Sequence, residues 1–274
     1  MPNNSYPRPH LLPFAILLAT LCCPLGALRT ASAQEAPPTS PTPAPENTVD
    51  EATPSPSATP STEHWAGKLT VIGYRRIPFL GKVEFRTSNR LIATVNKTEG
   101  RVELDQKVCS IDFEKVFGAK LHLDPDAPPR MPHAKPHFQE QADGSYKADF
   151  WTSGWDKSDH DRDGNPGVSI NVRAPLCGGD VFMESQARSE ARAVPWHGAL
   201  AGPIRVEVAQ TVLGTQGACL AFMAKDHTQW LHGFVAYEPL DGPKDCDELE
   251  GHTWPDYEAD PPKVPEPAFS ESEK

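Results

Sequence analysis

The chain has no apolar run long enough to cross a bilayer, no Cys-x-x-Cys, no surplus of basic residues and no long amphipathic helical pattern. Each absence removes a class of function. A spanning helix needs about 20 consecutive apolar residues. The best stretch, LLPFAILLATL from Leu11 to Leu21, is about half that length and carries Pro13. Without Cys-x-x-Cys pairs there is no zinc ribbon, no thioredoxin-type redox motif and no haem attachment site. A net charge of −11 gives no electrostatic footprint for nucleic acid. No serine stands in a nucleophile-elbow context, so the adjacent Asp226 and His227 have no nucleophile to serve. An unrecognised hydrolase stays open as an alternative, with no residue assigned to it.

What is present begins with a secretory grammar in residues 1–33. Arg8 and His10 precede the apolar run, and Ala31-Ser32-Ala33 supplies small residues where a signal peptidase reads. Cleavage after Ala33 is expected. It would leave no transmembrane span and place the mature chain in the periplasm, at the cell surface or outside the cell. Residues 34–64 hold Pro, Thr, Ser and acids, with no Lys or Arg and Val49 as the one large aliphatic residue. Such a segment buries too little apolar surface to offset its ordering entropy, and it reads as a disordered, semi-stiff linker. Residues 239–274 carry eleven acids against three bases and read as an acidic, largely disordered tail. The acidity therefore lies in the ends, and residues 65–238 are charge-balanced.

Four cysteines would remain after cleavage: Cys109, Cys177, Cys219 and Cys246. An even number in an exported chain points to two disulfides. Three connectivities exist. Cys109–Cys177 with Cys219–Cys246 is preferred here, because the second bridge would pin the start of the acidic tail.

Residues 65–238 repeat with a period of two. Val83 and Phe85 alternate with Lys82, Glu84 and Arg86, and Val168, Ile170 and Val172 alternate with Ser169, Asn171 and Arg173. Ile204, Val206 and Val208 follow the same rule. Successive strand side chains point to opposite faces, so these are half-buried strands. The stretch Val181–Arg192 also suits a helix by its Glu, Gln, Ala and Arg content. Its unbroken alternation after Gly178-Gly179 favours a long strand with a small-residue face. Turns are expected at Ser88-Asn89, at Asp143-Gly144 and at Ala201-Gly202-Pro203. A two-residue loop at Asp143-Gly144 would set Glu140 opposite Lys147. About eight to ten strands joined by short turns predict an all-β fold, an antiparallel barrel or sandwich. Trp65-Ala66-Gly67-Lys68, leading into a strand, resembles lipocalin-type barrels in architecture only, since their Gly-x-Trp order is missing.

The sharpest local pattern runs from Asp156 to Gly167. Asp159, Asp161 and Asp163 recur at every second residue and Gly164 follows, as in the first half of a calcium loop. Calcium takes six to eight oxygens, and alternating carboxylates with a glycine turn wrap a chain around it. The twelfth position is Ile170 where an EF-hand needs a bidentate Glu, so an EF-hand is excluded. The candidate ligands are Asp156, Asp159, Asp161, Asp163 and Asn165; without a cation the segment reads as an acidic hairpin loop. His133 and His137 lie in a Pro-rich loop and lack a third ligand. Trp151, Trp155, Trp196 and Trp230 are candidates to line an apolar pocket. These readings favour a non-enzymatic exported β-domain that binds a small apolar ligand or a cell-envelope component. The alternative is a calcium-stabilised surface or adhesion module in which the acidic loop is structural.

Overall fold

A computed structural model describes residues 62–77, 81–115, 118–174, 177–242, 244–257, 259–265 and 269. The signal-peptide reading of 1–33, and the linker reading up to residue 61, lie outside these. Ten strands follow in chain order: β1 (Thr62–Ile77), β2 (Gly81–Thr98), β3 (Arg101–Phe113), β4 (Lys120–Leu123), β5 (His137–Glu140), β6 (Tyr146–Trp155), β7 (Val168–Arg173), β8 (Gly178–Trp196), β9 (Ala199–Gln216) and β10 (His227–Pro239). One helical turn, α1 (Leu220–Met223), sits between the last two. The all-β expectation holds, and so does the long strand across Val181–Arg192.

Every pairing is antiparallel, and eight strands close into a ring in the order β8-β6-β5-β3-β2-β1-β10-β9. The β8–β9 ladder shuts it. β7 joins the first half of β8, on the edge that β6 occupies further along, and β4 pairs outside β7 as a short flap. The hairpin closing β8 to β9 turns on His197 and Gly198, both with positive φ, 47° and 84°. That geometry matches the right-handed twist of the strands it joins.

The ring interior is packed by complementary volumes. On β8 the buried face is small: Ser185, Ser189, Ala191 and Ala193. The other walls supply Phe138, Trp151 and Tyr237, with Phe138 6.4 Å from Trp151 and 6.0 Å from Tyr237 between ring centroids. Trp151 pairs directly opposite Ser189. Tyr237 Oη donates to Gln106 Oε1 at 2.6 Å, which satisfies the two buried polar groups in the same interior. Burying each large side chain contributes about 1.5–3 kcal/mol.

The expected turn at Ser88-Asn89 is not a turn. β2 runs through it, with Ser88 opposite Thr70 and Asn89 opposite Leu69, because ladder bonds on both edges override the local preference of these residues. The expected turn at Ala201-Gly202-Pro203 is likewise strand, and the chain reverses four residues earlier at His197-Gly198. The Asp143-Gly144 turn forms, but within a longer loop in which Gln141 N donates to Ser145 O at 2.7 Å. The register moves by one, so Lys147 faces Gln139 and Glu140 faces Tyr146.

The disulfide pairing also differs from the expectation. Cys109 joins Cys246 and Cys177 joins Cys219, with Cα separations of 5.1 and 5.8 Å. Cys109 is the extra residue of a bulge on β3, where Arg90 pairs with Ser110 but Leu91 pairs with Val108. It points outward, into a cluster with Ala66, Ile92 and Leu249. The stretch after residue 239, which composition alone leaves unordered, docks there. Leu249 is 2% exposed, and Tyr257 packs 4.9 Å from Phe234 and 5.1 Å from Trp196. Both bridges fit an oxidising, exported setting. No helix among the described residues is long and apolar enough to cross a membrane.

Candidate functional site

The acidic segment is not a hairpin loop. Trp155, the last residue of β6, pairs with Ser185, and Val168, the first of β7, pairs with Met183. Both strands therefore lie in line on one edge of β8, and residues 156–167 are extruded from a nearly continuous strand. Gly167 has φ +79°, and a Cβ there would collide with the Met183 carbonyl oxygen, so glycine lets the chain re-enter the ladder. Beneath the loop, Leu123, Ala127, Met131, Val168 and Ile170 form a second small core, joined by Trp155 and Met183. Trp155 Nε1 donates to Met183 O at 2.7 Å.

The loop folds on its own carboxylates. Asp159 accepts from the backbone of Asp163 and Gly164, at 3.1 and 3.0 Å. Asp163 accepts from Asn165 N at 2.8 Å and from the Ser169 hydroxyl. Asp161 accepts from Ser169 N at 2.7 Å through Oδ2. One carboxylate oxygen from each of Asp159, Asp161 and Asp163 lies within 4.8 Å of the others.

Asp161 is the unusual member. It is 7% exposed, and its Oδ1 is buried with no hydrogen-bond partner. Burial pushes its carboxyl above the ordinary 3.8, and the neighbouring Asp163 and Asp159 carboxylates add to the shift. For Asp163, donation from Ser169 and Asn165 outweighs the opposing effect of burial and holds the carboxyl down. Three carboxylates this close repel one another, and an unpartnered buried carboxylate oxygen is costly. A hard cation would relieve both penalties, and an all-oxygen donor set suits calcium over zinc or copper.

The five sequence-derived ligands divide. Asp159, Asp161 and Asp163 converge. Asp156 stands apart, pairing with His160 at 3.0 Å and accepting from Ser158 N at 2.9 Å. Those bonds from Ser158 and His160 hold its carboxyl down to about 2. Asn165 contributes its backbone N–H to Asp163. Two residues that the sequence reading passed over belong to the site. Ser169 closes two of the three carboxylates onto β7, and Arg130 donates to the Asp161 carbonyl at 3.5 Å while pairing with Asp126. Ser169 was legible as a polar strand position beside the Asp series. Arg130, thirty-one residues away in a Pro-rich turn, had no local signal.

The four tryptophans do not share a pocket. Trp151 is inside the ring and Trp155 is under the loop. Trp196 packs on the outer face against Tyr257, and Trp230 lies beneath the Arg205 guanidinium. His133 contacts Asp105 at 2.7 Å and His137 sits 3.8 Å from Glu103, so each imidazole has its own carboxylate. Asp226 accepts from Val212 N at 2.7 Å rather than orienting His227. Comparison of the chain with protein-family models, curated proteins and solved structures finds no match, so the geometry alone carries the functional reading.

Proposed function

We propose that this protein is an exported, disulfide-stapled β-barrel module whose extruded loop holds a calcium ion as a structural element. The observation that carries the reading is the buried, unpartnered Oδ1 of Asp161 beside two further carboxylates. Asp159, Asp161 and Asp163 would hold the ion. When bound, it supplies positive charge that offsets their repulsion and fixes the loop, with no chemistry of its own. The packing favours this over a small apolar ligand inside the barrel, since Phe138, Trp151 and Tyr237 fill the interior.

The test is thermal unfolding of the intact protein in EDTA and in millimolar calcium. At a hundred times the dissociation constant, a single site adds about 2.7 kcal/mol, a clear rise in Tm. Terbium offers a second readout, because Trp155 lies in the core under the loop and can sensitise its luminescence. Asp161→Asn should abolish the calcium shift and the terbium signal while leaving the cation-free Tm unchanged or higher. A Tm indifferent to calcium, together with silent terbium, overturns the proposal.

A further inference from the structure

A second surface lies at the end of the β7–β8 ladder, five residues along β7 from the point where the acidic loop re-enters the sheet. At this rim Arg173 of β7 pairs with Gly178 at the start of β8, Lys120 of β4 pairs with Arg173, and β9 ends beside β8 with Gln216 opposite Asp180. The turn α1 follows β9 and is clamped to the same place by Cys177–Cys219, with Met223 Sδ 3.9 Å from Cys177 Sγ. Phe222 is 85% exposed on that turn and Met223 is 49% exposed. Phe222 is thus a large apolar side chain presented to solvent on a turn braced by a disulfide.

Beside this knuckle is an open depression of about 610 Å³ lined by Lys120, Asn171, Arg173 and the two glycines 178 and 179. Lys120 and Arg173 are directly opposite in the ladder, where like charges destabilise the pairing. Neither has a carboxylate within ion-pair distance among the described residues. Arg173 is aimed by its Nε, which donates to Asn171 Oδ1 at 3.0 Å. That leaves the terminal guanidinium nitrogens for an anion, in the geometry that suits phosphate.

We propose that this rim docks on an anionic lipid surface, Phe222 and Met223 entering the headgroup boundary while Lys120 and Arg173 meet lipid phosphates. Apolar residues flanked by cations are the chemistry such an interface selects. Most of the chain's net negative charge lies in the stretch after Pro239, where β10 ends, and the acidic loop stands at the other end of β7, five residues from Arg173. β10 starts with His227 opposite Gln210, six residues short of the Gln216 end of β9, and runs away from the docking rim. Where Tyr257 and Phe269 of the stretch after Pro239 return along the barrel wall, they pack on Phe234 and on Arg205, and Arg205 lies eleven residues up β9 from Gln216. At about 3.3 Å per residue, these contacts are several screening lengths from the rim. A second copy of the chain fits less well, since a twofold contact through this patch would oppose the same cations to one another.

The experiment is co-sedimentation of the intact protein with vesicles, in EDTA so that calcium cannot bridge the acidic loop to lipid. Vesicles of phosphatidylglycerol and phosphatidylcholine in equal parts are compared with phosphatidylcholine alone. Binding is expected to the anionic vesicles, weakening as salt rises. Lys120→Gln with Arg173→Gln should lower it by about fivefold per cation removed, and Phe222→Ser with Met223→Ser by about tenfold or more. Thermal melts of both double variants confirm folding, because all four side chains are at the surface. Equal binding to neutral vesicles, no binding to anionic ones, or variants that bind like the wild type would each overturn the proposal. So would concentration-dependent self-association that is lost in the Phe222→Ser variant. These outcomes are read without calcium, so they are distinct from failure of the metal site.

Discussion

Trp155 and Val168 are separated by twelve residues in the chain, yet they face Ser185 and Met183, two positions apart on one strand. The loop between them is therefore an insertion into a wall that is already continuous. Replacing residues 156–167 by two glycines should leave the barrel folded, because a gap of two strand residues, about 7 Å, is within reach of so short a link. Far-UV circular dichroism should be unchanged and the calcium-dependent rise in Tm should vanish. An unfolded product would mean that the loop holds β6 and β7 in register.

The raised carboxyl of Asp161 sets a sign for pH. Without a cation, its contribution to stability is present below its ordinary value of 3.8 and is lost as pH rises through the higher folded value. Calcium requires the ionised form, so its affinity should weaken as pH falls through that same folded value. Titrations by calorimetry from neutral pH down to about 4 should show calcium binding fade, with protons released on binding at the acidic end. Asp161→Asn should remove both the proton release and the binding.

Cys109–Cys246 closes 137 residues and Cys177–Cys219 closes 42. On chain entropy the first should stabilise by roughly 1 kcal/mol more. Cys109→Ser with Cys246→Ser should cost about 2–5 kcal/mol in urea unfolding. It should also free Leu249 and Trp254 from the outer face, seen as new proteolytic cleavage after residue 240. Cutting confined to other parts of the chain would show that the noncovalent contacts of Tyr257 and Leu249 hold the strap unaided.

Arg205 and Glu190 lie opposite one another on β9 and β8, each 8% exposed, with the guanidinium also stacked on Trp230. Arg205→Met should lower unfolding free energy by about 3–5 kcal/mol, because Glu190 would stay buried without its counter-ion. Adding Glu190→Leu should recover much of that loss. A double variant as unstable as the single one would place the cost in lost packing on Trp230 instead.

Alternation was enough to read the described domain as all-β and, with the Gly178-Gly179 turn before it, to favour strand over helix at Val181–Arg192, and spacing singled out the Asp159–Asp163 series as a candidate site. Side-chain direction on a strand has a period of two, and that is local information. The three Asp residues could be named from spacing for the same reason. What spacing could not carry was anything set by strand neighbours. Ser88-Asn89 reads as a turn until ladders form on both its edges, and the cysteine partners depend on which strand carries a bulge. The acidic loop reads as a hairpin until β6 and β7 are found on one edge of β8. The orphaned oxygen of Asp161 is likewise a tertiary fact. Its carboxylate is buried because β7, Ser169 and Arg130 close around it, and burial is what turns a run of exposed acids into a candidate site.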